Sequence, residues 1–184
     1  MKKFLSIALI SALSLSPMIA KNFTIDKSHS SVNFEVKHML ISKVNGVFNN
    51  FDGILDIDPS TKKINKLQGE ISISSVDTKN SKRDTHLKAN DFFDLQKFPK
   101  GTFKMTKQEG DKLYGDLTIR GITKPVVWEV KVSGPVTNPM TKKQLMALDI
   151  EGKINRKDFQ VGVDTPNTIV SDEVKVNIQI EASE

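Results

Sequence analysis

The stretch EVKVNIQIEA, Glu173 to Ala182, alternates apolar and polar side chains without interruption. Val174, Val176, Ile178 and Ile180 take every second position, and charged or amide side chains fill the positions between them. Because successive side chains of a β-strand point to opposite faces, this period of two predicts a strand with one buried and one solvent-facing side. Strands of this kind are typical of antiparallel sheets.

The same alternation recurs along most of the chain. A long strand is predicted from Val44 to Asp58, bent near Gly46 or Gly53. Turn-forming residues separate the runs, among them Asp58-Pro59-Ser60 and Ser133-Gly134-Pro135. The other apolar sets are Val32, Phe34 and Val36; Leu67, Ile71 and Ile73; Leu113, Leu117 and Ile119; Val126, Trp128, Val130 and Val132; and Met146, Leu148, Ile150 and Ile154.

These runs amount to about eight strands, the number that closes into a small barrel with room for side chains or one small ligand. We therefore predict an all-β fold, an eight-stranded antiparallel barrel, with a two-sheet sandwich as the alternative. One short helix is predicted within SKRDTHLKAND, residues 81–91, because Ser81 and Asp84 have capping-box spacing and Asn90 can end it. Such an insertion is expected across one end of the barrel.

The N-terminal segment, residues 1–20, has the features of a secretory signal peptide. Two lysines precede an apolar run from Phe4 to Leu15 that is too short to cross a bilayer. We expect cleavage after Ala20, with the small residues Ser14 and Ser16 marking a weaker alternative site. The product is then a single domain, residues 21–184, that is periplasmic or secreted.

Composition excludes several classes of function. The chain has 184 residues and no cysteine, hence no disulfide, thiolate ligand or thiol nucleophile. Its net charge is +5, but the lysines are scattered, so nucleic acid is not an expected partner. His29, His38 and His86 lack the spacing of helical metal ligands, although a site assembled from all three in space stays open. Gly-x-Ser-x-Gly and phosphate-binding glycine motifs are absent, so we assign no metal, no cofactor and no catalytic residue.

The helical stretch SKRDTHLKANDFF, residues 81–93, concentrates the side chains that could act on a ligand. Three interpretations stay open. In the structural one, Asp84 caps the helix and the apolar side chains hold it on the barrel. In a binding one, Arg83 or His86 contacts the polar head of a ligand at the barrel mouth. In a catalytic one, an exported hydrolase or isomerase of lipid-like substrates uses His86 as a base oriented by Asp84 or Asp91. We rank them in this order.

Four ordered blocks cover about Phe23 to Ala182. They are Ile25–Gly53, Ser74–Pro99, Gly115–Val126, and INRKDF with the closing VSDEVKVNIQIEA. Together they resemble the YceI-like family of bacterial periplasmic proteins. The resemblance implies a lipocalin-like barrel whose apolar interior holds a polyisoprenoid or similar long-chain amphiphile. It also implies binding without established catalysis, and frequent dimers. Where the family commonly continues Arg-x-Asp-Phe with glycine, this chain has Gln160, so the backbone is expected to differ there.

The site residues follow from the inward faces of the strands together with this resemblance. The expected ligand is a polyisoprenoid, an isoprenoid quinone, a polyprenyl phosphate or a fatty acid or amide, carried reversibly. Transient membrane contact and a homodimer are further expectations. Large apolar residues would also fill a core without a ligand. The candidates for the lining are Phe34, Val36, Phe48, Phe51, Leu117, Ile119, Trp128 and Phe159, and those for the head group are Arg83, His86, Arg156 and Asp158.

Overall fold

The computed structural model describes residues 22–184, and the predicted signal peptide lies outside them. Within this range there are ten strand segments, one α-helix, α1 (Ser81–Leu87), and two short 3-10 turns, Ile73–Ser75 and Arg156–Phe159. The strands are β1 (Asn22–His38), β2 (Ser42–Phe48), β3 (Phe51–Asp58), β4 (Lys63–Ser72), β5 (Val76–Asp77), β6 (Lys100–Glu109), β7 (Lys112–Ile119), β8 (Ile122–Thr137), β9 (Gln144–Asn155) and β10 (Val170–Ser183).

The strands form a closed antiparallel barrel. Going round it, β1 is followed by β3, β4, β6, β7, β8, β9 and β10, and β10 pairs with β1 to close the ring. The short segments are extensions of these strands, because β2 continues β3 alongside β1 and β5 continues β4 alongside β2. The predicted eight-stranded antiparallel barrel with one short helix is therefore confirmed, and the sandwich alternative is wrong.

Two local details differ from the sequence prediction. The long second strand is interrupted at Asn49–Asn50 and not bent at Gly46 or Gly53. The amide of Asn49 donates to the carbonyl of Ser75 at 3.2 Å, and the amide of Asn50 donates to its hydroxyl at 2.9 Å. These bonds to the neighbouring turn replace the hydrogen bonds that a continuous strand would make with its partner. The predicted turn at Ser133-Gly134-Pro135 is instead a bulge inside β8, where the register against β9 shifts.

The residue that caps the start of the helix lies one position before the predicted one. Asn80 is the N-cap, and its side chain accepts the amide of Arg83 at 3.1 Å. The predicted capping role of Asp84 is wrong, because its carboxylate accepts the backbone amide and hydroxyl of Thr78 at 2.9 and 2.5 Å. The helix ends at Leu87, ahead of the predicted stop at Asn90.

One end of the barrel interior is filled by its own side chains. Six large residues there are at most 1% exposed, and all of them lie where β3, β4, β7 and β9 approach this end. We call this set the floor of the barrel. The floor residues are Leu55, Ile57, Ile64, Leu113, Met146 and Leu148.

The opposite end carries α1 and three connections. Arg120, at the β7–β8 turn, donates to the carbonyl of Asn90 at 2.6 Å and to that of Gln160. The amide of Gly162 donates to the carbonyl of Asp91 at 2.9 Å. These bonds join the segment after α1 to the connection between β9 and β10, so the helix is fixed across this end of the barrel.

Candidate functional site

A cavity of about 410 Å³ lies inside the barrel, and none of the floor residues belongs to its wall. Its volume falls in the range of small-molecule sites, about 300–1,000 Å³. Side chains from the strands and from α1 line it, and they are predominantly apolar. Eleven of the twelve predicted site residues lie on this wall: Phe34, Val36, Phe48, Phe51, Arg83, His86, Leu117, Ile119, Trp128, Arg156 and Phe159.

The sequence interpretation missed part of the lining. Phe103 of β6 lies on the wall, as do Phe92 and Phe93 after α1. The signal for Phe103 was available, because Gly101, Phe103 and Met105 repeat the period of two. The position of the two phenylalanines after α1 depends on how that segment crosses the barrel, which no local pattern specifies.

Aromatic rings of the wall lie over glycines of adjacent strands. A methyl group built on Gly152 would lie 1.9 Å from Cδ1 of Trp128, and one built on Gly46 would lie 2.2 Å from Cζ of Phe34. Trp128 is 3% exposed, and its indole N–H has no hydrogen-bond partner among the described residues. The glycines leave the space in which these rings rest against the wall, so the rings occupy less of the interior.

Phe103 has the same relation to Gly115, whose added methyl would lie 2.4 Å from the ring. The rings of Phe103 and Trp128 are also stacked, with centroids 5.0 Å apart and planes at 15°. The two rings therefore restrain each other, and neither can slide along the wall independently.

Arg83 brings a positive charge to the cavity wall. Its Nε and Nη2 donate to the hydroxyl and carbonyl of Thr78 at 2.7 and 2.8 Å, which fixes the plane of the guanidinium. Among residues 22–184, no carboxylate forms an ion pair with it, since Asp84 bonds Thr78 instead. A half-buried guanidinium without a counter-ion favours an anionic or carbonyl oxygen nearby.

His86 lies on the same wall and pairs with Asp91, not with Asp84. Its Nε2 is 2.8 Å from Asp91 Oδ2, and the two side chains are 61% and 50% exposed. The pairing with His86 lowers the pKa of Asp91. The imidazole also packs edge-on against Phe92, with ring centroids 4.8 Å apart. Of the two predicted catalytic pairings, only the one with Asp91 is formed.

Arg156 is a structural clamp, although it reaches the cavity wall. It is 4% exposed and binds five backbone carbonyls of the β9–β10 connection and the start of β10, together with the carboxylate of Asp172 at 2.9 Å. Burial lowers the pKa of Arg156, and Asp172 opposes this. Because its five N–H groups are all engaged, the predicted head-group contact has no free donor here.

Asp158 and Gln160 close this turn on the outside. Asp158 is exposed and is absent from the cavity wall, so it does not join the other predicted site residues. Gln160 has φ 57° and ψ 30°, the left-handed conformation that glycine adopts readily. The glutamine thus has a conformation that a glycine would adopt at lower cost.

The three histidines are not brought together. His38 and His86 line the cavity, whereas His29 lies on the surface with Asp26 and Glu181, their ligand atoms within 4.8 Å of one another. The hydroxyl of Ser28, which donates to Asp26 at 2.6 Å, is the main cause of the lowered pKa of the Asp26 carboxyl. The hydrogen bond between His29 and Asp26, at 2.9 Å, lowers that pKa further and raises the pKa of the imidazole. Asp26, His29 and Glu181 thus form an ion group on the surface, and none of the three lines the cavity.

A closed antiparallel barrel, filled at its floor and hollow with apolar walls above it, defines a lipocalin-like barrel of the ligand-binding class. No helix in residues 22–184 is long and apolar enough to span a bilayer. The model of the YceI-like domain matches residues 23–182, and the chain belongs to this family.

The relatives support this assignment over most of their length. A UPF0312 protein of Staphylococcus aureus strain bovine RF122 / ET3-1 is 37% identical over 166 residues, covering 88% of this chain and 97% of that protein. The crystal structure of the YCEI protein of Campylobacter jejuni is similar, with a TM-score of 0.75 and 37% identity over 89% of this chain and 98% of that one.

A second solved structure shares the fold alone. It is a polyisoprenoid binding domain from Saccharophagus degradans implicated in plant cell wall breakdown. Its TM-score is 0.69 with 13% identity, over 90% of this chain and 99% of that one. The barrel fold is therefore retained at this low sequence identity, whereas the roles of individual site residues in that domain cannot be assigned to residues of this chain.

Proposed function

We propose that the protein is an exported, periplasmic carrier that holds a long-chain amphiphile in its barrel cavity and performs no chemistry on it. The observation that carries this proposal is the apolar cavity of about 410 Å³. The likeness to a polyisoprenoid binding domain points to the same kind of guest, although that likeness bears on the fold alone. A cavity with such walls has few partners for water, so a hydrocarbon tail is its natural occupant.

The charge on the wall orients this guest. The tail lies toward the floor, and the polar head lies beside α1, where Arg83 and His86 reach the wall. An uncompensated guanidinium stabilises an anionic or carbonyl head more than a plain hydrocarbon end. A polyprenyl phosphate, a fatty acid, a fatty amide and an isoprenoid quinone all present such an oxygen.

Binding of such a guest is reversible because its tail comes from a membrane and not from water. Moving a CH2 group out of water is worth about 0.8 kcal/mol. The tails of membrane lipids are already surrounded by hydrocarbon, however, so transfer into the cavity exchanges one apolar environment for another. The free-energy difference is small, and the guest can be released to a second membrane.

The test is direct. The protein is purified from its native host without detergent, extracted with solvent, and the extract is analysed by mass spectrometry. Delipidated protein is then titrated with polyprenyl phosphate and isoprenoid quinone of graded tail length. A co-purified amphiphile and saturable, length-dependent binding are expected. An empty extract together with no saturable binding at any tail length would refute the proposal.

The pair His86 and Asp91 is the observation that favours the catalytic alternative. The hydrogen bonds of His86 recorded in residues 22–184 include no serine or threonine hydroxyl, so an activated nucleophile is not assembled. Hydrolysis of lipid-like esters is assayed with the wild type and His86→Ala. Turnover that His86→Ala abolishes at unchanged thermal stability would establish catalysis in place of carriage.

A further inference from the structure

Three consecutive apolar side chains are exposed at the turn between β1 and β2. Met39, Leu40 and Ile41 are 52%, 66% and 91% exposed. Met39 and Leu40 also have positive φ angles, 49° and 63°, in a region that costs L-residues about 1–2 kcal/mol each. The turn therefore keeps a conformation against local preference while presenting apolar surface to solvent, and it contributes little to the core.

A second exposed apolar group lies next to this turn. Val163 and Ile169, on the connection from β9 to β10, are 36% and 39% exposed, and the amide of Met39 donates to the carbonyl of Ile169 at 3.0 Å. Five of the nine exposed large apolar residues in the described chain thus belong to two connections at one end of the barrel. We call Met39, Leu40, Ile41, Val163 and Ile169 the apolar rim.

The apolar rim adjoins the cavity wall. His38 and Val44, on either side of the exposed turn, both line the cavity, as do Thr165 and Ile169 of the other connection and Val170 at the start of β10. Residues of the rim and residues of the cavity wall are therefore neighbours along the chain. A tail leaving the cavity at this point would pass directly onto the rim.

The charges beside the turn identify its partner. Lys37 and Lys43 lie on either side of the three apolar residues in the sequence KHMLISK, and both are exposed. Lys43 also pairs with Glu35 at 3.1 Å, and Asp164 is exposed beside Val163. At a bilayer surface, apolar side chains enter the acyl region while flanking ammonium groups remain at the level of anionic phosphates.

We propose that the apolar rim is a membrane-docking surface whose partner is an anionic phospholipid bilayer. In the docked state the cavity opening faces the bilayer, so a tail can move between the two without crossing water. This inference deepens the proposed carrier function and rests on it for the identity of the transferred guest.

The absence of cysteine makes a site-specific test simple, because any introduced cysteine is unique. Ile41→Cys carries an environment-sensitive nitrobenzoxadiazole label, and Met140→Cys is the matched control. Met140 is 87% exposed but lies in the β8–β9 turn, at the floor end of the barrel. With vesicles of phosphatidylethanolamine and phosphatidylglycerol, the label at position 41 is expected to shift to the blue and brighten, while the control label is unchanged. Vesicles of phosphatidylcholine alone should give a weaker response.

A second measurement uses the unlabelled protein. Leu40→Ser combined with Ile41→Ser should lower vesicle binding in sedimentation assays by about tenfold or more. Binding of polyprenyl phosphate to the cavity should remain at the wild-type level, which also shows that the variant is folded.

The outcomes separate the two proposals. Equal responses from the labels at positions 41 and 140, or vesicle binding unaffected by the double substitution, would overturn docking through the rim. Sedimentation showing that the double substitution dissociates a dimer without affecting vesicle binding would assign the rim to a second copy and also overturn it. Insertion of the rim by a protein that binds no amphiphile would refute the carrier function and leave docking intact.

Discussion

The space above Gly152 is expected to set the width of the cavity. A methyl group there would lie 1.9 Å from Cδ1 and 2.4 Å from Cγ of Trp128, whereas ordinary contacts begin near 3.4 Å. The indole must therefore move by more than an ångström in Gly152→Ala. Because Trp128 is stacked on Phe103 and is 3% exposed, the open direction is toward the cavity.

The expected cost combines strain and lost contact. Overpacking of this kind destabilises by about 1–3 kcal/mol. Gly152→Ala should therefore lower the urea midpoint without changing the slope of the transition. It should also weaken binding of the bulkiest or longest amphiphile more than that of a short one, because the displaced ring occupies part of the cavity.

The matched control is Gly69→Ala on β4, where an added methyl meets nothing within 4 Å. Gly69 itself lines the cavity, so this variant is a control for stability alone, and it should be as stable as the wild type or slightly more so. If Gly152→Ala is as stable as this control and binds long amphiphiles as the wild type does, the explanation of the glycine by ring placement is wrong.

Further predictions concern the end of the barrel near α1 and the surface ion group. Gln160→Gly should raise the melting temperature by a few degrees, since it relieves about 1 kcal/mol of left-handed strain, whereas Gln160→Ala should not. Arg156→Met should cost about 3 kcal/mol or more in urea denaturation, because carbonyls of the β9–β10 connection and Asp172 lose their buried donor; a loss below about 1 kcal/mol would contradict the clamp. The imidazole of His29 should titrate above its ordinary pKa of 6.5 by NMR, and Asp26→Asn should lower this pKa. The pairing of His29 with Asp26 then stabilises the fold fully below pH 6.5, and this contribution disappears as the pH rises through the pKa of His29 in the folded protein. A titration midpoint of His29 at or below pH 6.5 in the wild type would refute the pairing.

The barrel could be predicted from sequence because its main determinant is local. Alternation at Val174, Val176, Ile178 and Ile180 is visible within ten residues and specifies which face is buried. Strand number alone did not decide closure, because eight strands also suit a two-sheet sandwich, and it is the pairing of β10 with β1 that closes the barrel. The interruption at Asn49–Asn50 could not be predicted, because its amides bond a turn that lies some 25 residues further along the chain.

The site was predictable to the extent that strands place residues inward. Trp128 and Phe34 reach the wall as expected, but the glycines beneath their rings belong to partner strands, whose register a single sequence does not reveal. For Arg156, the position at the cavity was predicted but the role of the side chain was not. Nothing in INRKDF distinguishes an arginine that binds carbonyls of a later loop from one that binds a head group, since both need only a long cationic side chain.

The choice of helix cap was ambiguous for a similar reason. Asn80, Ser81 and Asp84 can all accept backbone amides, and the spacing of the last two suits a capping box. The carboxylate of Asp84 instead accepts hydrogen bonds from Thr78, whose hydroxyl also accepts one from the guanidinium of Arg83. A contact within the inserted segment therefore decided between local alternatives of similar strength.

The packed floor has a consequence for traffic. If the protein carries an amphiphile as proposed, the guest must enter and leave at the end opposite the floor, with its hydrocarbon end first in and last out. The protein would then exchange its guest with one membrane at a time and would not form a continuous path between two membranes. The distance from the floor to that end would set the longest tail that the barrel can cover completely.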